Sequence, residues 1–424
     1  MKKNDRIVLE ITAMSSEGNG IVRHEGLAVF VPLTAIKDKA EVLILKVKSN
    51  LAFGKLVNII TPSPDREKDS CSAFSKCGGC VYRHISYSSE CEIKQKRVEE
   101  AVFRIGGIEK KAEPIQSGCK DRYRNKAQYP VNEEGVCGFY ANHSHRIIPS
   151  GDCLLQPKEF FLISNIFTEF LKEKALSIYN EETGKGLVRH LYIRKAEVTK
   201  QIMVCPVING KSLPYAEELI ERLKAAVGES LKTVVLNINT EKTNVILGEK
   251  LVTLFGDGYI FDELCGVKVR LNPLSFYQVN HDMAERLYKK ATEYAKAEDK
   301  TILDLYCGTG TIGLSMANSV KELVGVEIIP EAIEDAKINA EINNINNARF
   351  ICGDASVAAE ELLKTVTEIN PQKIVYVSCD PATLARDCAR LLDLNYEVQE
   401  VTPVDMFPRT SHVESVCFLL RKNN

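Results

Sequence analysis

The sequence predicts a three-part α/β protein: a small OB-like β-barrel, a mixed α+β centre and a Rossmann-like parallel α/β sheet. Three observations carry that prediction. Short β-branched runs broken by glycine and asparagine fill residues 5–60, the pattern of a small barrel. A cysteine-rich loop, Cys71 to Cys80, opens a stretch in which strand-like and helix-like segments mix. From Thr301 onward apolar strands alternate with helical segments, which is how a parallel sheet reads in sequence. The expected divisions are therefore 1–60, 61–270 and 271–424.

The elements follow in order. Ile7–Ile11, Ile21–Arg23, Leu27–Val31, Glu41–Val47 and Leu56–Ile60 read as the barrel strands, and Pro62-Ser63-Pro64 as a linker. An OB-type barrel of this kind often binds single-stranded nucleic acid. Ser88 to Ile105 has helical periodicity and stops at Gly106-Gly107. Gly186–Arg194 is strand-like and Tyr215–Val227 helix-like. Val357 to Ile369 reads as one amphipathic helix.

Composition bounds the rest. The apolar share of 45% and charged share of 26% are those of an ordinary globular chain. The opening MKKNDRIVLEITAM has no apolar core of a secretory leader, and no apolar run approaches a membrane span, so the cytoplasm is expected. A monomer without membrane contact is expected too. Fourteen cysteines, in that setting, point to metal binding or catalysis before disulfides. The net charge of −2 gives no global positive field, but Arg122-Tyr123-Arg124-Asn125-Lys126 interleaves cations with an aromatic ring. That suits phosphate contact and base stacking, and equally a solvated face, so Arg122, Arg124 and Lys126 are candidate RNA contacts.

The strand Thr301–Tyr306 ends in Cys307-Gly308-Thr309-Gly310-Thr311-Ile312-Gly313, which satisfies G-x-G-x-x-G. Glycines allow a tight turn and close backbone approach, and the next helix offers free N–H groups. Glu327 ends the following strand, where its carboxylate would hold ribose hydroxyls of NAD or S-adenosylmethionine alike. Asp304, just before the glycines, and Asp354, ending a third strand, favour S-adenosylmethionine.

Lys373–Val377 delivers Ser378-Cys379-Asp380-Pro381 to the carboxyl edge of the sheet, where ligands of open α/β folds bind. A free cysteine in a strand is usually a small core hydrophobe, but here polar residues and a proline surround it. A thiolate suits uracil chemistry, because its addition to C6 makes the otherwise unreactive C5 nucleophilic. A base must then remove the C5 proton. Glu414 in Thr410-Ser411-His412-Val413-Glu414 is the candidate, with His412 its competitor.

Taken together, these residues resemble the RNA (uracil-5-)-methyltransferase family, in particular its 23S ribosomal RNA branch. The resemblance spans nearly the whole chain, with residues 1–60 similar to a TRAM module. It implies that Cys71, Cys77, Cys80 and Cys153 hold a [4Fe–4S] cluster, zinc being the alternative for four thiolates. Gln278, in Ser275–Asn280, would contact S-adenosyl-L-methionine together with Asp304, Tyr306, Gly308, Gly310, Glu327 and Asp354. Cys379 would be the nucleophile and Glu414 the base of methyl transfer to a uridine C5 in 23S ribosomal RNA through a Cys–C6 adduct. One departure stands out. The family's strand ending in Asp-Pro-Pro is missing between 355 and 372, where it would lie beside the strand at Ile302. A gap in the sequence, a natural deletion or a nonfunctional copy each explains that. The rival expectations are a catalytically impaired RNA-binding iron–sulfur protein and an NAD-dependent oxidoreductase.

Overall fold

The computed structural model describes residues 1–353 and 366–422. The expected helix at 357–369 therefore lies largely outside the described residues, as does Asp354. No described helix is long and apolar enough to cross a membrane.

The first sheet holds β1 (Arg6–Glu10), β2 (Ala13–Met14), β3 (Gly20–His24), β4 (Leu27–Val31), β5 (Lys39–Val47) and β6 (Leu51–Thr61). Their order is β1-β5-β6-β4-β3-β2. Leu9, Val22, Val29, Val42 and Ala52, from five of these strands, share one core, so the sheet curls over on itself. The expected closed barrel is corrected on one point: no ladder joins the edge strands β1 and β2 among the described residues. The reason is length, since a β2 of two residues cannot carry a closing ladder.

Helix α1 (Tyr87–Arg104) follows the cysteine loop. The Ser86 side chain accepts the Ser89 N–H and caps it. The central sheet combines β7 (Lys126–Pro130), β10 (Val188–Lys195), β11 (Ile202–Ile208), β12 (Leu231–Ile238) and β13 (Lys250–Phe255), in the order β13-β12-β11-β10-β7. Two helices, α2 (Lys158–Glu173) and α3 (Ala216–Val227), supply Phe160, Phe167, Leu219 and Leu223 to its core. A small hairpin of β8 (Gly138–Tyr140) and β9 (Ile147–Pro149) lies beside the cysteine loop, where Gly78 donates its N–H to the Tyr140 carbonyl.

The C-terminal part begins with the hairpin β14 (Ile260–Leu264) and β15 (Val267–Leu271) and with α4 (His281–Ala295). Alternation then sets in as expected: β16 (Thr301–Leu305), α5 (Thr311–Met316), β17 (Glu322–Glu327), α6 (Pro330–Ile342), β18 (Ala348–Cys352), β19 (Lys373–Ser378), α7 (Pro381–Asp393), β20 (Tyr396–Val404) and β21 (Glu414–Arg421). These strands form two half-sheets: parallel β16-β17-β18, and antiparallel β19-β21-β20. No ladder among the described residues joins β16 to β19. A single core nevertheless runs beneath both, with Ile302 and Phe350 on one side, Val375 and Val377 on the other, and Leu287 and Ala291 of α4 between.

Among the described residues β16 pairs on one side only, with β17. Strands inside a parallel sheet are buried on both faces. Here Leu303, in the middle of β16, is 37% exposed.

Candidate active site

Cys379 stands at the first position beyond β19 and is exposed. Asp380 turns the chain away, its carboxylate accepting the Thr383 N–H at 2.7 Å to cap α7, and Pro381 fills the first helical position. The antiparallel ladder between β19 and β21 pairs Ser378 with Ser415. The register thus brings Cys379 to the end of β21 at which Glu414 stands. Glu414 is 7% exposed, and burial pushes its carboxyl up to about 7. The Cys379 thiol is raised by burial and then by the Glu414 carboxylate, so the thiol lies in the carboxylate's field. His412 packs edge-on against Phe407 with its pKa lowered by burial and by Arg97 and Lys94. It is a poorer competitor for a proton than Glu414.

The glycine turn lies on the other half-sheet. Tyr306, Gly308 and Gly310 have φ of 61°, 54° and 78°. Gly310 and Gly313 are packing glycines: a Cβ at Gly310 would come 3.1 Å from the Phe350 ring, and one at Gly313 2.9 Å from the Asp304 carboxylate. Only Gly308 of the three has open space where a Cβ would stand, and there a ligand can approach the backbone. Asp304 accepts the Gly313 N–H at 3.1 Å, and burial pushes its carboxyl up to about 6. Glu327 accepts the Gly308 N–H at 3.1 Å with one oxygen and the Ile328 and Ile329 N–H groups at 2.9 and 3.1 Å with the other. The oxygen that meets Gly308 keeps a lone pair for a hydroxyl donor, whereas the two isoleucine N–H groups fill the other. Tyr306, Ile328 and Ile329 are all about half exposed beside it (50%, 50% and 53%). The two isoleucines escaped the sequence reading, although apolar residues straight after an acidic strand end are a signal for a ring-binding slot. Gln278 is half-buried, its carbonyl accepting the Asn125 amide at 2.8 Å. Two residues on, Asn280 caps α4, and Tyr288 of α4 hydrogen-bonds Thr311 in the glycine turn at 2.9 Å.

Cys71, Cys77, Cys80 and Cys153 line one cavity of about 490 Å³, with Arg83, Arg124 and Lys126. Burial raises the Cys77, Cys80 and Cys153 thiols, Cys80 to about 12, and neighbouring cysteines raise them further. The Gly79 N–H donates to Cys77 Sγ at 3.3 Å. As a set for one metal ion the expectation needs correcting: among the described residues no three His, Cys, Asp or Glu side chains are grouped to hold one. The thiols ring a space instead of converging on a point. Arg122 is drawn into this region, donating to Asp152 at 2.5 and 2.6 Å and to the carbonyls of Cys153 and Gln156 at 3.1 and 2.8 Å. It clamps the segment that carries Cys153. Lys126 faces the same cavity with its pKa lowered to about 8 by burial and by Arg194 and Arg124.

The model of the tRNA (uracil-5-)-methyltransferase family matches residues 87–372 and 360–422, and that of the TRAM domain residues 3–57. The first model matches in two pieces that overlap at residues 360–372. An uncharacterized RNA methyltransferase of Clostridium tetani is 40% identical over 99% of this chain and 97% of its own length. Another from Halalkalibacterium halodurans is 39% identical over 100% and 98%. The first alignment has 448 positions against 424 residues, so at least 24 positions face gaps in this chain. The crystal structure of the Pyrococcus abyssi tRNA (uracil-54, C5)-methyltransferase with S-adenosyl-L-homocysteine superposes with a TM-score of 0.79 at 26% identity, covering 98% of this chain and all of that one. That tRNA enzyme matches along the first sheet as well, so the sheet does not by itself separate tRNA from ribosomal substrates. With the family model matched over residues 87–422 in two runs and full-length relatives near 40% identity, the chain belongs to the tRNA (uracil-5-)-methyltransferase family of S-adenosylmethionine-dependent RNA methyltransferases.

Proposed function

We propose that the chain methylates C5 of a uridine in 23S ribosomal RNA through a covalent adduct on Cys379. One observation carries the reading: an exposed thiol at the tip of β19, with a buried carboxylate at the start of the adjoining strand β21. S-adenosylmethionine, when bound, supplies the methyl group. Gly308 would give it backbone access, Glu327 would hold a hydroxyl, and Tyr306, Ile328, Ile329, Gln278, Asp304 and Asp354 would supply the remaining contacts. Arg124 and Lys126 take RNA phosphate, while Arg122 serves RNA indirectly by holding its loop. The target uridine leaves its stack, since C6 cannot otherwise be reached. Cys379, once its proton has passed to solvent, adds as the thiolate to C6, and the C5 carbon so activated takes the methyl group as the sulfonium–methyl bond breaks and S-adenosylhomocysteine is left. Glu414, with its raised pKa, accepts the C5 proton, and the Cys379 sulfur departs as the ring double bond re-forms.

The cysteine cavity is assigned to a [4Fe–4S] cluster, which four thiolates hold, and all four of these cysteines line it. Its role is structural, tying residues 71–80 to Cys153. The chain works as a cytoplasmic monomer.

The uncovered β16 edge supports a second reading, that of an RNA-binding family member with impaired methyl transfer. A single experiment separates the two. Transfer of tritiated methyl groups is assayed on 23S ribosomal RNA and on tRNA, with Cys379→Ala beside the wild type. Incorporation into 23S RNA that Cys379→Ala abolishes is the expected result. Incorporation into tRNA alone would overturn the ribosomal assignment, and normal turnover by Cys379→Ala would overturn the mechanism.

A further inference from the structure

The nine residues 405–413 between β20 and β21 end at Glu414, and many of the contacts that fix them come from outside their own sheet. Lys94 of α1, only 1% exposed, donates to Asp405 at 2.7 Å, to Glu90 at 2.7 Å and to the Phe407 carbonyl at 3.1 Å. Glu90 accepts the Arg409 backbone N–H at 2.6 Å and pairs with the Arg409 guanidinium at 3.5 Å. Tyr87 donates to Asp405 at 2.7 Å, and Arg97 to the Ser411 carbonyl at 2.6 Å. Glu90, Lys94, Asp405 and Arg409 are thus two acids and two bases, all buried. Buried ion pairs add little net stability over apolar packing, and their best-attested use is to fix a unique arrangement.

Arg409 also reaches the cysteine loop. It sits at φ 70°, in the left-handed region. Its carbonyl accepts the Val81 and Tyr82 N–H groups at 2.8 and 3.2 Å, and its guanidinium donates to the Tyr82 and Ile85 carbonyls at 3.3 and 2.9 Å. Cys80 immediately precedes this grip. The segment that delivers Glu414 and the segment that carries Cys80 are therefore held by the same residue.

We infer that Lys94 and Arg409 are positioning residues: the buried Glu90–Lys94–Asp405–Arg409 cluster sets Glu414 against Cys379 and ties that setting to the cysteine loop. The inference rests on Glu414 being the base. It gives the cysteine loop a part in proton removal, after adduct formation, distinct from holding RNA.

The test uses the full chain. Lys94→Met keeps the apolar stem and removes the cation, and Asp405→Asn keeps the shape and one acceptor while removing the charge, should Lys94→Met fail to fold. On unmodified RNA, Lys94→Met is expected to lower kcat about tenfold or more with RNA KM held within about twofold, and to accumulate the Cys379–RNA adduct. Cys80→Ser is expected to do the same, and the double variant to be no more than about twofold worse than either single one. A second readout needs no turnover. The Glu414 carboxylate raises the Cys379 thiol, so displacing it lowers the pH at which Cys379 is alkylated. Lys94→Met should move that midpoint toward the value of Glu414→Gln, as followed by peptide mass spectrometry. Unchanged kcat, or Lys94 and Cys80 effects that multiply independently, would overturn the inference. A wild type that forms no adduct with 5-fluorouridine RNA would overturn the catalytic reading instead. The alkylation midpoint then still decides the positioning claim, an unchanged one in Lys94→Met refuting it.

Discussion

Glu414→Gln separates stability from chemistry. The buried carboxyl titrates near 7 against an ordinary 4.5, so folding holds its proton more tightly than the unfolded chain does. The stability of the neutral form is fully present below 4.5 and is lost as pH rises through about 7. At 1.36 kcal/mol per pH unit, that gap makes the ionised carboxylate cost up to about 3 kcal/mol at pH 8 and under about 1 kcal/mol at pH 5. Glutamine is neutral throughout. Glu414→Gln should therefore melt about 3 °C above the wild type at pH 8, taking roughly 1 °C per kcal/mol for a chain of this length, and only slightly above it at pH 5. The same substitution should stop turnover and leave the Cys379–RNA adduct standing, because the C5 proton has no acceptor. Thermal melts at the two pH values and a denaturing gel of protein with labelled RNA check both halves. A variant that melts at or below the wild type at pH 8 would show that the carboxylate is not held at a cost. Retained turnover would remove Glu414 from the base role.

Three more predictions follow from the same geometry. S-adenosylhomocysteine at a hundred times its Kd should stabilise the fold by about 2.7 kcal/mol, with NAD having no effect and Glu327→Ala abolishing the shift, as read by thermal melts. Arg122→Ala removes the bonds to Asp152, Cys153 and Gln156, which should cost about 1–3 kcal/mol and lower the iron retained per chain, measured by elemental analysis. Restoring the residues that face gaps in this chain, copied from the Clostridium tetani relative, should bury Leu303 and raise methyl transfer above that of the unaltered chain. Equal activity with and without them would show that the two half-sheets suffice.

Motifs written in consecutive residues were legible without any coordinates. The glycine turn, Ser378-Cys379-Asp380-Pro381 and the Cys71–Cys80 spacing are each short, and each carries its chemistry in residue type and order. Strand and helix patterns were legible for the same reason, because side-chain periodicity is a local property: the expected helix at 88–105 is α1 at 87–104.

What only the tertiary structure decided are relations between distant segments. Cys379 and Glu414 are brought together by the register of β19 on β21, which no local pattern specifies. Gly308 is open while Gly310 and Gly313 face Phe350 and Asp304, although all three occupy one motif. Arg122 reads as a phosphate ligand by composition and became a clamp because Asp152 and two carbonyls lie within its reach. Lys94 and Arg409 gave no signal at all, since a charged residue in sequence looks solvated until its partners, more than 300 residues away, bury it. Local order determines which chemistry the chain carries. Long-range packing determines which groups face one another, because the free energy of a contact depends on distance in space and not on distance along the chain.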